Sequence, residues 1–273
     1  MSRTVYVKTC PLLEENGIMP RDTAPHDPAR TVALLWGAGP TPGRTGLSVG
    51  ALVAAGIEIA DAGGLDAVSM RRVADHLGVA VMSLYTYVPA RSDLVDLMVD
   101  AALAGLYEGV DALSGPWPEA LRAMADARWR LFATHPWLLD HGSARPVLGP
   151  HTLVAYEAEL RPLDGIGLTD VEMDAIVTLV LSHVAGAARA RTDVLRAADV
   201  SGTTDAEWWG RVGPALAAHV DETRLPVSSR VGTATGAAWD AATSPQHALT
   251  FGLERIIDGV SALLAGRDGP TAR

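Results

Sequence analysis

The chain has 273 residues, 48% of them hydrophobic and 20% charged, with a formal net charge of −10. That much apolar material supports a sizeable core and excludes wholesale disorder, and the acidic balance excludes a protein coated in nucleic acid while leaving room for a small DNA-reading patch. The lone Cys10 excludes an intrachain disulfide. With no stretch approaching the roughly 18 apolar residues of a membrane span and no signal-like start, a cytoplasmic protein is expected.

Residues 1–46 read as an irregular extension, because Pro11, Pro20, Pro25, Pro28, Pro40 and Pro42 interrupt long helices. Met19 is an alternative start. One short helix is expected over 27–36, with Asp27 as N-cap, Pro28 at the first helical position, and Val32, Leu35 and Trp36 on one side.

Helical periodicity begins at Ser48. Leu52, Ala55, Gly56 and Ile59 recur on one face, extended by Val49, Val53 and Ile57, until Gly63 and Gly64 stop the helix. Ser69 can cap a second, short helix that turns Met70, Val73, Ala74 and Leu77 inward and Arg71, Arg72, Asp75 and His76 outward. Gly78 permits the left-handed turn that ends it. Another short helix is expected over 81–87, before Pro89, and a long one over 92–113.

Beyond these, the periodicity predicts helices over 118–134, 151–160, 170–198, 207–220 and 248–265. The one over 170–198 opens with a capping box, Thr169 to Glu172. Residues 221–247, rich in Gly, Ser and Thr, read as a long loop. No strand or repeat is legible, so the fold class is all-α.

Two short helices joined at a glycine turn make a helix-turn-helix pattern. Leu84 and Val88, four residues apart, would anchor the second helix, leaving Val81, Met82, Ser83, Thr86 and Tyr87 on the opposite face. Seven residues span roughly 10 Å, against a major groove about 12 Å wide. By spacing alone, an ordinary pair of packed helices fits equally well.

The order A-x-x-x-x-A-D-x-G-G-L, then V-S-M-R-R-V-A-x-x-L-G-V, then S-L-Y-x-Y-V, closely resembles the DNA-binding domain of TetR/AcrR-family transcriptional repressors. The remainder is more loosely similar to the tetracycline-repressor-like C-terminal domain, through DAEWWGRVGPAL and HALTFGLERIIDGV. The resemblance implies a three-helix DNA-binding domain over 47–92 and a larger ligand-binding and dimerisation domain over 93–267. It also implies DNA contacts from Ser69, Met70 and Arg71, base reading from Val81, Met82 and Ser83, backbone contacts from Tyr85 and Tyr87, and a phosphate contact from Arg91. Val81 and Met82 cannot donate a bidentate pair, so they can only touch thymine methyls, and polar readout falls on Arg71, Ser83 and Thr86. Tyr85 can instead pack in the core. Arg44 is either a minor-groove arm or part of a linker.

The expected partners are a double-stranded inverted-repeat operator, a small aromatic or hydrophobic effector, and a second copy of the chain. Trp129, Trp137, Tyr156, His183 and Arg189 are the candidate effector contacts, since tryptophan-rich helical space with a few polar groups suits drug-sized ligands. His183, among Leu179, Val180, Val184 and Ala187, reads equally as a hydrogen-bonded core residue. Ala185, Gly186, Ala187, Ala188, Gly252 and Gly259 would allow close approach of dimer helices. No metal motif, phosphate loop or cofactor signature is present.

A helical enzyme around His135, His151 and His183 is the competing class, but no nucleophile, base and orienter are spaced for it. A ligand sensor whose reading head has decayed is another. Between Arg44 and Asp93, four basic residues (Arg44, Arg71, Arg72, Arg91) face five acids (Glu58, Asp61, Asp66, Asp75, Asp93).

Overall fold

The computed structural model describes residues 27–41, 46–142 and 145–267; Cys10, Met19 and Arg44 lie outside them. All regular structure among the described residues is helical. The order is α1 (Pro28–Leu35), α2 (Val49–Gly63), α3 (Met70–Leu77), α4 (Val81–Leu84), α5 (Arg91–Ala102), α6 (Trp117–Thr134), α7 (Pro150–Leu160), α8 (Asp170–Ser201), α9 (Asp205–Ala217), α10 (Pro226–Trp239) and α11 (Pro245–Arg267). Short 3-10 turns at Leu65–Ala67, Pro136–Asp140 and Arg161–Leu163 connect some of them.

Two apolar clusters organise the chain. The first joins α2, α3, α4 and α5 around Leu52, Val73, Leu84, Val88, Leu94 and Met98, and also takes in Trp137 and Val147 from beyond α6. The second joins α6, α7, α8 and α11 around Leu121, Met124, Ala158, Val180, Val184 and Ile257. Within the second, the Glu159 carboxylate is buried and accepts from Tyr107 at 2.8 Å and from Arg128 Nε and Nη2 at 2.9 and 2.7 Å. Burial, and then the charge of Glu159, push the Tyr107 phenol above its ordinary range.

α1 forms as expected, with the Asp27 side chain accepting from Ala29 N at 3.1 Å. Its inward face differs from the expected one. Thr31, Leu34 and Leu35 are buried, while Val32 and Trp36 are exposed. Part of the extension therefore belongs to the first core. Thr31 Oγ1 donates to the buried Asp93 of α5 at 2.7 Å, and Trp36 Nε1 donates to the Leu148 carbonyl at 3.0 Å.

Four further expectations are corrected. α4 is a single regular turn, with the chain continuing as a turn to Tyr87, rather than a helix over 81–87. The helix expected over 92–113 ends at Ala102, ahead of helix-weakening Gly105 and Gly109. The stretch read as a loop holds α10. There Pro226 opens the helix, and the hydroxyls of Ser228, Ser229 and Thr235 bond back to carbonyls of the preceding turn, so they do not compete with the helix. Lastly, α8 does reach the length and apolarity of a membrane span, with a mean hydropathy of 1.4 over its best 18 residues. It is nonetheless a packed helix, burying Ile176, Val177, Val180, Val184, Ala187 and Ala188 against α6 and α11.

Candidate DNA interface and effector cavity

The reading head is built from α2 to α5. The Ser69 hydroxyl accepts from Arg72 N at 3.2 Å and starts α3, and Gly78, at φ 67°, ends it in the left-handed conformation that a side chain would strain. The turn delivers α4. Leu84 and Val88 are fully buried, which fixes its orientation. Met82, Ser83 and Thr86 point to solvent, and Val81, Tyr85 and Tyr87 are half-buried against the same core.

Several expected contact residues reach the surface of the head. Ser69 sits at the α3 N-terminus, where unsatisfied N–H groups favour an anion. Arg71 is 86% exposed and only loosely shared with Asp75 at 4.0 Å. Met82 is 76% exposed, an apolar tip suited to a thymine methyl.

Two assignments do not fit the geometry. Met70 is buried in the core of the head, because the first residue of α3 faces α2. Arg91 turns inward: its Nε donates to the Val68 carbonyl at 2.6 Å and its Nη2 to the Leu65 carbonyl at 2.7 Å. It fastens the Leu65–Ala67 turn to the start of α5.

Two carboxylates of the head bond to the rest of the chain. Asp61, near the end of α2, accepts from Trp137 Nε1 at 2.8 Å and lies 2.7 Å from His135 Nδ1. A carboxylate can only accept, so that nitrogen carries the proton. Asp100, buried near the end of α5, accepts from Thr152 N at 2.8 Å and Thr152 Oγ1 at 2.9 Å, capping α7. Gly149 lies so close that a Cβ there would stand 2.2 Å from the Asp100 carboxyl, so only glycine admits this cap.

Beside the first of these contacts lies a cavity of about 640 Å³. Ala60 to Asp66 wall one side, and Phe132, Trp137, Asp140, Arg191, Leu195 and Arg196 wall the other. The five expected effector residues do not converge on it as a set. Trp137 lines it, but spends its N–H on Asp61. Arg189 bonds Asp140 of its wall at 3.1 Å, and Trp129 lies under Arg191, with Cζ 5.2 Å from the ring centroid. Tyr156 lies elsewhere and donates to Asp174 at 2.8 Å. His183 Nε2 is held 3.0 Å from the Leu249 carbonyl, between α8 and α11, as a packed histidine is. The stripe Arg191, Thr192, Leu195, Arg196 and Asp199 was missed. Its three- and four-residue spacing along α8 is the signal the sequence carries.

A second cavity of about 560 Å³ separates α9 from α10, lined by Trp209, Gly213, Leu216, Leu225, Gly232 and Gly236. Among the described residues, no group of three metal-ligating side chains comes together.

The head and the domain behind it each match a known family. Residues 52–98 match the model of bacterial regulatory proteins of the tetR family, and residues 111–264 match the tetracyclin repressor-like C-terminal domain. The chain belongs to the TetR family. It is 39% identical over 250 residues to the HTH-type transcriptional repressor DrrR1 of Streptomyces coeruleorubidus, covering 90% of each chain. An HTH-type transcriptional regulator of Saccharopolyspora erythraea is 34% identical over 157 residues, which cover 57% of this chain and 65% of that one. Among solved structures, the TetR-family protein ActR of Streptomyces coelicolor in complex with actinorhodin superposes with a TM-score of 0.65 at 26% identity, over 83% of this chain and 99% of that one. The same protein with (S)-DNPA gives a TM-score of 0.64. This TetR-family chain is accordingly a DNA-binding transcription regulator.

Proposed function

We propose that the chain is a homodimeric repressor that leaves an inverted-repeat operator when a small aromatic molecule binds. The observation that carries the reading is the outward face of α4, where Met82, Ser83 and Thr86 stand in solvent over the buried anchors Leu84 and Val88. A single-turn reader offers few base contacts, so affinity calls for a second half-site about 34–36 Å away.

Exposed apolar side chains favour a second copy as the source of that half-site. Val171, Leu179 and Val200 on α8 are exposed, as are Phe251 and Leu263 on α11. These two helices pack on each other and both keep exposed apolar side chains that a partner would cover.

The effector reading rests on the cavity beside Asp61 and on the small molecules held by ActR, a relative of similar fold. The walls suit an aromatic body against Phe132 and Trp137, with polar or acidic substituents toward Arg191 and Arg196. A ligand there would push the Pro136–Asp140 turn away from α2 and so turn the head. DNA and effector would then oppose one another through a coupling of the usual one to three kcal/mol.

Selection of duplexes from a random library by the full chain tests the operator reading. The enriched sequence is expected to be an inverted repeat. Recovery of no sequence preference from folded dimer would reject the proposal.

A further inference from the structure

We propose that α1 is an additional DNA-contacting element and that Arg30 is its phosphate-binding residue, flanking the half-site beside Tyr87. The inference rests on the DNA-reading role of α4 and extends the contact surface to a part of the chain upstream of both family matches, 52–98 and 111–264.

Three observations converge on it. The first is rigidity. α1 is held on the head by the buried Thr31–Asp93 hydrogen bond of 2.7 Å and by Leu34 and Leu35 in the core. An element fastened this way moves with the head, and its side chains are placed before DNA arrives.

The second is position. Arg30, Ala33 and Leu34 share a cleft of about 390 Å³ with Thr86 and Tyr87, the last residues of the reading turn. Arg30 therefore stands beside the two side chains that follow α4, on the edge where the reading turn gives way to backbone contacts.

The third is charge. Arg30 is exposed and is the sole charged residue of the helix PARTVALL. Its guanidinium makes no ion pair or hydrogen bond among the described residues. Of the cations expected to serve DNA, Arg91 is spent on carbonyls, which leaves Arg71, held only loosely by Asp75 at 4.0 Å. An acidic protein that binds DNA needs a few well-placed cations, and a guanidinium on a fixed helix fits a phosphate bidentately.

The test uses the full chain and the tightest duplex selected from a random library, titrated across a series of salt concentrations. Arg30→Ala should weaken binding to all selected duplexes alike and flatten the log K against log salt plot by about 0.9 per head, the value of one phosphate contact. Arg30→Lys should retain the slope. Arg230→Ala, which removes the same charge from α10, should behave like the parent. If Arg30→Ala keeps the parent's affinity and slope, α1 does not touch DNA and the inference is overturned. If the parent itself selects and binds no duplex, the DNA reading fails first, and this inference with it.

Discussion

Met82 concentrates the specificity question in one side chain. It is 76% exposed at the tip of the reading turn, so its removal should cost little stability, within about 0.5 kcal/mol either way. Met82→Ala should instead relax preference at one base pair of each half-site. Binding to a panel of single-base-pair operator variants checks this, and an unchanged preference profile would take Met82 out of base readout. Arg91 carries the opposite expectation. Two charged hydrogen bonds, to Val68 and Leu65, tie it into the head. Arg91→Ala should lower unfolding free energy by about 1.5–3 kcal/mol in urea titration. Parent-like stability would mean that those carbonyls do not hold the guanidinium in solution. The spacing of Leu84 and Val88 made the buried anchors of α4 readable beforehand. The inward turn of Arg91 was not readable, because its carbonyl partners are 23 and 26 residues away and depend on how the Leu65–Ala67 turn packs.

At the scale of elements, α8 holds much of the second core, and its start is charge-dependent. Glu172 accepts from Thr169 N and Oγ1, each at 2.8 Å, and is met by Arg267 of α11. These contacts, the backbone one foremost, hold its carboxyl down to about 2. A carboxyl whose folded value is depressed contributes stability above its unfolded value, near 4.3, and loses it as pH falls toward 2. The melting-temperature gap between parent and Glu172→Gln should therefore be full at neutral pH and shrink below about pH 4. A gap independent of pH would show that Glu172 acts by shape alone. Deeper in the same core, Arg128→Met should cost about 3–5 kcal/mol, since it strands the buried Glu159 carboxylate; calorimetry or urea unfolding reads this directly. The capping boxes before α8 and α9 share the Thr-x-x-Glu pattern; that before α8 was read from its residues in advance, whereas α9 was expected to start two residues late, at 207. α10 was not legible, because Ser, Thr and Gly signal loops by composition and become helical here only through back-bonded hydroxyls and the start set by Pro226.

Across the whole molecule, the head and the larger domain are joined where Asp61 meets His135 and Trp137, and where Asp100 caps α7. A tie of this kind both stabilises and transmits. Asp100→Ala should cost about 1–2 kcal/mol, as other lost helix caps do, and should weaken release of DNA by effector more than DNA binding itself. Comparing the DNA affinity of parent and variant with and without a bound effector measures that difference; equal coupling in both would remove Asp100 from the path. The all-α class, the helix-turn-helix and the family resemblance were legible because they rest on local periodicity and on glycine and cap positions. The cavity proposed for the effector was not, because it lies between residues 60–66 and 132–199, and only the tertiary fold brings them together. The most direct test of the two-headed reading is a hydroxyl-radical footprint of the full chain on its selected duplex. The account predicts two protected windows on one face of the DNA, their centres about 34–36 Å apart. A single protected window, or none with folded dimer in excess, would contradict it.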